Sequence, residues 1–180
     1  VPGYSSAGPR MFEFTGGGAG VVDFDLDGWP DVWMTQGSEW PAGRSTPPTE
    51  RPSASSSDQL FRNIGGERLQ NVTQLAGIDE WGFGQGIAVS DVDADGFADV
   101  IVANIGHHQL WLNQGDGTFR NGGQLTNDGV WNTSVGAADL SGDGLPDLYC
   151  VRYLAGHDVF TKTCPDSEGH PHSCLPQRFP

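Results

Sequence analysis

The chain has 180 residues, 27 of them glycine, with 23 acidic side chains against nine Lys and Arg and a formal net charge of −14. This length suits one domain, or a short array of repeats, with a real hydrophobic core. The scarcity of basic residues, with Lys162 the single lysine, excludes a phosphate-tracking nucleic-acid binder, and no run of 18 apolar residues is present to span a membrane.

In chain order, the start at Val1 without Met or a signal-peptide pattern fits a processed amino terminus or a trimmed chain. A Gly-rich apolar run, GGGAGVV at residues 16–22, leads into DFDLDGWPD at 23–31 and then into the short strand-like run Val32-Trp33-Met34. Residues 37–57 follow, rich in Pro, Ser and Thr and expected to be an exposed insertion rather than packed core. Gln59-Leu60-Phe61-Arg62-Asn63-Ile64-Gly65-Gly66 reads as strand and tight turn, with glycine supplying the positive φ that a hairpin turn needs.

The same order then recurs. GFGQGIAVS at 82–90 precedes DVDADGFAD at 91–99, the apolar run 100–103, and a second hairpin, Gln109-Leu110-Trp111-Leu112-Asn113-Gln114-Gly115-Asp116-Gly117. NTSVGAA at 132–138 precedes DLSGDGLPD at 139–147 and the run 148–151. The loops begin 68 and 48 residues apart, and the longer spacing holds the insertion. The strand-like runs are short, β-branched and aromatic, and no helical period is sustained. The fold expected is all-β: three tandem four-stranded propeller-like blades, too few to close a ring, followed by an irregular Cys-containing tail. The repeats are placed at 14–36 with 58–80, at 81–125 and at 126–153, with the tail at 154–180.

Each loop has the pattern Asp-X-Asp/Ser-X-Asp-Gly-X-X-Asp. Carboxylates at positions 1, 3 and 5, a backbone carbonyl at position 7 and Asp at position 9 would surround a hard cation with oxygen, which suits calcium better than octahedral magnesium. Three calcium sites are therefore expected: Asp23, Asp25, Asp27, Trp29 and Asp31; Asp91, Asp93, Asp95, Phe97 and Asp99; and Asp139, Ser141, Asp143, Leu145 and Asp147. With Ser141 in place of a carboxylate, the third is expected to bind most weakly. An EF-hand is excluded, because its position-12 Glu is replaced by Met34, Val102 and Cys150.

DFDLDGWPDVWM, SDVDADGFADVIVAN and ADLSGDGLPDLYCV, with the hairpins between them, resemble the FG-GAP/VCBS repeats of integrin-α-like β-propellers, and most closely the cartilage-acidic-protein-like branch. The resemblance runs from about Gly16 to Tyr153. It implies a propeller-type fold and calcium, and says little about activity, since such repeats serve adhesins, receptors and accessory domains.

In an extracellular chain Cys164 and Cys174 are expected to form a disulfide, although Cys150 is an alternative partner, and a zinc site with His170 and His172 has no strong spacing to support it. Asn71 and Asn132 lie in glycosylation sequons. No catalytic constellation is present. The function expected is a secreted, non-catalytic, calcium-binding structural protein. It would associate head-to-tail into an extracellular filament or matrix, with a glycan- or protein-binding propeller fragment, or an accessory domain of a secreted enzyme, as alternatives.

Overall fold

A computed structural model of the chain describes residues 10–40, 44, 46, 48–52, 56–127, 130–154, 156 and 158–179. Parts of the Pro/Ser/Thr-rich insertion, residues 41–43, 45, 47 and 53–55, lie outside the described residues. Among the described residues there is no α-helix, only three short 3-10 turns, so no helix is long and apolar enough to cross a membrane.

Among the described residues four antiparallel sheets form, and none closes into a barrel. The first joins β1 (Ala19–Val22), β2 (Asp31–Met34), β3 (Gln59–Ile64) and β4 (Arg68–Asn71) in that order. The second joins β5 (Gly84–Ser90), β6 (Asp99–Asn104), β7 (His107–Asn113) and β8 (Phe119–Asn127) likewise. The third holds two strands among the described residues, β9 (Asn132–Ala138) and β10 (Asp147–Arg152). The first two strands of each of these sheets flank one Asp-Gly loop. The fourth sheet is the small pair β11 (Cys164–Pro165) and β12 (Pro171–His172) in the tail. This all-β arrangement of successive sheets is that of a partial propeller-like repeat fold.

The sheets pack face to face through alternate residues, as the period of a strand requires. Val22, Trp33 and Leu60 of the first sheet meet Val100, Val102 and Trp111 of the second, with Phe24 and Phe119 closing the cluster. Trp33 lies edge-on to Phe119, with ring centroids 5.4 Å apart. The other face of the second sheet sets Ile101, Ala103, Leu110 and Leu112 against Val135 and Cys150 of the third. Burying side chains of this size contributes about 1.5–3 kcal/mol each before conformational entropy is subtracted.

The glycines before each loop have a packing reason. A Cβ on Gly86 would fall 2.7 Å from the Thr133 carbonyl oxygen and 2.9 Å from Ser134 Cα, and one on Gly18 would fall 2.9 Å from Gly86 Cα. The first strands of adjacent sheets approach too closely for any side chain at those points.

Two segments pack more than their composition suggests. Trp40, at the head of the insertion, is only 6% exposed and stacks on Phe160 of the tail at 4.9 Å. Phe12, Trp131, Val159, Cys174 and Phe179 complete that cluster. The tail is irregular in backbone yet anchored by aromatic burial and by the Cys164–Cys174 disulfide. Both zinc-candidate sulfurs are therefore joined to each other, and Cys150 stands outside that disulfide.

Candidate metal centres

The three loops share one hydrogen-bond pattern. The position-1 carboxylate accepts the N–H groups of positions 5 and 6: Asp27 and Gly28 to Asp23 at 3.0 Å each, Asp95 and Gly96 to Asp91 at 3.1 and 2.9 Å, Asp143 and Gly144 to Asp139 at 3.2 and 3.0 Å. The position-5 carboxylate accepts the position-7 N–H, at 2.9 Å in all three loops. Position 9 accepts from position 2: Phe24 to Asp31, Val92 to Asp99 and Leu140 to Asp147. The chain thus coils around its own carboxylates, and the coil needs left-handed backbone twice. Position 6 is glycine throughout, with φ of 87°, 93° and 90°. Position 4 is left-handed as well, at Leu26 (55°), Ala94 (59°) and Gly142 (79°).

Asp23, Asp25 and Asp27 bring one oxygen each within 4.8 Å of one another, and so do Asp91, Asp93 and Asp99. Two ligands at about 2.4 Å from one ion can be no more than about 4.8 Å apart, so both triplets have the span of a calcium shell. Asp25 Oδ1 is buried with no hydrogen-bond partner, as an oxygen reserved for a cation would be. The donor set is oxygen alone, and the residues fit calcium. Asp31 lies outside the first triplet and Asp95 outside the second, and no triplet forms in the third loop among the described residues.

Asp31 and Asp99 are wholly buried, and their carboxylates stitch the loop to the next hairpin. The Oδ1 of Asp31 accepts the Asn63 N–H at 2.7 Å, and that of Asp99 accepts the Asn113 N–H at 2.8 Å. Burial raises both pKa values, opposed by these backbone bonds. The Asn side chains finish the join. Their amide nitrogens donate to the position-8 carbonyls, Asn63 to Pro30 and Asn113 to Ala98, and their oxygens accept the turn N–H of Gly66 and Gly115. Over each turn lies the position-7 ring, Trp29 against Gly66 and Phe97 against Gly115, closer than a Cβ would permit. The recurrence of Asn63 and Asn113 at matching places was the sequence signal for this join. Its purpose depends on the register that sets them opposite Asp31 and Asp99.

The third loop differs. Asp147 accepts Leu140 and Ser141 N–H on Oδ2, which hold its pKa low, and no third strand covers it among the described residues. In the first loop, by contrast, a side-chain cation is present: the Arg62 guanidinium pairs with Asp25 at 2.6 Å and Asp27 at 2.9 Å, which raises its pKa. Leu112 occupies the matching place in the second hairpin.

The sequons are unequal. Asn71 is exposed at the end of β4, whereas Asn132 is 1% exposed and donates its amide to the Asn104 carbonyl at 3.2 Å. No curated protein matches the chain. Residues 91–150, from the first carboxylate of the second loop to Cys150 in β10, match the FG-GAP-like repeat.

Proposed function

We propose that this chain is a secreted, non-catalytic, calcium-binding β-repeat protein with a structural role, assembling head-to-tail outside the cell. On this proposal it belongs to the VCBS, cartilage-acidic-protein-like branch, with repeats at 14–36 with 58–80, 81–125 and 126–153. The carboxylate triplets and the orphaned Asp25 oxygen support calcium. The disulfide and the FG-GAP-like repeat suit an oxidising, extracellular setting.

One observation carries the assembly. Among the described residues the second sheet is covered on both faces, while the outer faces of the first and third sheets are open and apolar. The first sheet presents Val21 (62% exposed) and Met34, and the third presents Tyr149 (68%) and Val151. In the second sheet Ile101, at the place of Tyr149, is fully buried by its neighbour. A following sheet would cover Tyr149 and a preceding one would cover Val21, so the two exposed faces suit one another across two copies. Such a contact is heterologous and propagates unless it closes.

Sedimentation velocity and electron microscopy in calcium test this. Ordered oligomers or filaments are expected, and Tyr149→Asp should return them to monomers. A wild-type chain that stays monomeric at high concentration in calcium refutes the assembly.

A further inference from the structure

One side chain of the second hairpin touches both of the first two loops. Asn113 is 1% exposed, and its N–H donates to Asp99 Oδ1 at 2.8 Å. Asp99 is position 9 of the second loop and a member of the Asp91, Asp93, Asp99 triplet. The Asn113 amide nitrogen donates to the Ala98 carbonyl of that same loop at 3.3 Å, and to the Phe24 carbonyl of the first loop at 2.9 Å. Its amide oxygen accepts the Gly115 N–H at 3.0 Å, which fixes the plane of the amide. Asn63, at the matching place in the first hairpin, gives its amide to Pro30 of its own loop.

Phe24 sits where such a contact can act on an ion. It is position 2 of the first loop, and it joins Asp23 to Asp25, two of the three carboxylates of the first triplet. Its N–H donates to Asp31 Oδ2 at 3.2 Å, and its buried ring packs 6.0 Å from that of Phe119, which follows the second hairpin. An ion that fixes Asp23 and Asp25 therefore also fixes the carbonyl that Asn113 meets. An ion that draws Asp91, Asp93 and Asp99 together removes their mutual repulsion and fixes the carboxylate that holds the Asn113 N–H. One bridge thus serves both sites. Whichever ion binds first bears the cost of ordering it, and the second ion meets a bridge already ordered.

We infer that Asn113 couples the first two ion loops, so that calcium in either one tightens calcium in the other. The inference rests on the calcium reading of these loops and needs no contact between copies. Its sign sets it apart from charge acting through space. A divalent cation in one loop reduces the negative field at its neighbour and by itself weakens binding there, an effect that roughly 0.5 M salt suppresses. Coupling through a neutral amide persists in salt.

Calcium affinity of the first loop is read, in roughly 0.5 M salt, by displacement of terbium whose luminescence Trp29 sensitises. Silencing the second loop with Asp93→Asn should weaken the first about fivefold. Asn113→Ser should weaken it alike and abolish the dependence on Asp93, because serine keeps a short acceptor for the Gly115 N–H but cannot reach the Phe24 carbonyl. The reciprocal measurement leaves Asn113 in place. With Trp29→Phe and Phe97→Trp moving the reporter to the second loop, Asp25→Asn should weaken that loop by the same factor. Loops that bind no ion overturn the calcium reading, and this inference with it. Loops that fill with affinities indifferent to one another, a first loop that tightens when the second is silenced, or a coupling that survives Asn113→Ser overturn the inference and leave the calcium reading standing.

Discussion

Two carboxyl groups outside the Asp-Gly loops sit in the core. Asp58 is fully buried, accepting the Trp33 indole N–H at 3.0 Å and the Gln36 N–H at 2.8 Å. Glu80 is buried beside it, accepting from the Trp111 indole, the Gly82 N–H and the Asn104 amide. No cation compensates either among these contacts. Burial pushes Asp58 up to about 8, with the hydrogen bonds opposing and the Glu80 charge adding to the rise.

The sign follows from proton binding. Between its unfolded value of 3.8 and about 8, the folded chain holds a proton on Asp58 that the unfolded chain has released. Stability conferred by that proton is complete below the unfolded value, falls steadily above it and is lost once pH has risen through about 8. The full span corresponds to a loss on the order of 5 kcal/mol. Asp58→Asn removes the titration but sets an amide NH₂ against one of two donors, costing about 1–3 kcal/mol. The variant should therefore be less stable than wild type near pH 4 and more stable at pH 9. Urea unfolding across that range, at fixed calcium, measures the difference and cancels the histidines, including His107, whose pKa burial lowers. Parallel stability curves for the two proteins would refute this account of Asp58.

Chelation should lower the melting temperature markedly, because each site at a hundredfold calcium excess over Kd adds about 2.7 kcal/mol; an unchanged melt in EDTA removes calcium from the argument. Arg62→Leu, which borrows the residue of the second hairpin, should tighten the first loop severalfold by freeing Asp25 and Asp27. Terbium luminescence sensitised by Trp29, the one tryptophan at a position 7, reads that loop alone, and an unchanged affinity counts against competition by the guanidinium. Asn113→Ala should cost about 2–4 kcal/mol in urea unfolding, since the buried amide also donates to the Phe24 carbonyl of the first loop at 2.9 Å; a loss under 1 kcal/mol denies it that role.

The all-β class and the short antiparallel strands were legible because a strand's chemistry is local: β-branched runs, glycine turns and alternation lie within a few residues. The hairpin turns were legible for the same reason, with positive φ at Gly65, Gly66, Gly115 and Gly117. Legibility ends where an effect needs two distant segments. Asp31 and Asp99 read as ion ligands, but their burial beneath Asn63 and Asn113 depends on pairing between strands. Asp58 and Glu80 belong to no motif, and their partners Trp33 and Trp111 lie 25 and 31 residues away. The left-handed backbone at Leu26 and Ala94 was hidden because neither residue favours it, and only Gly142 in the third loop hints at the requirement. Trp40 lay within a composition typical of an exposed segment and is held by the tail instead.

The loops and hairpins also make one system, and that gives the third repeat a testable behaviour. In the first two repeats the hairpin withdraws the position-9 carboxylate from water, and an ion in a drier loop interacts more strongly with its ligands. Among the described residues no third strand covers the third loop, which also has the weaker ligand Ser141, so it should bind calcium least tightly. Ser141→Asp should therefore tighten that site severalfold in calcium titration, and an affinity unchanged by the added carboxylate would show that position 3 does not ligate the ion.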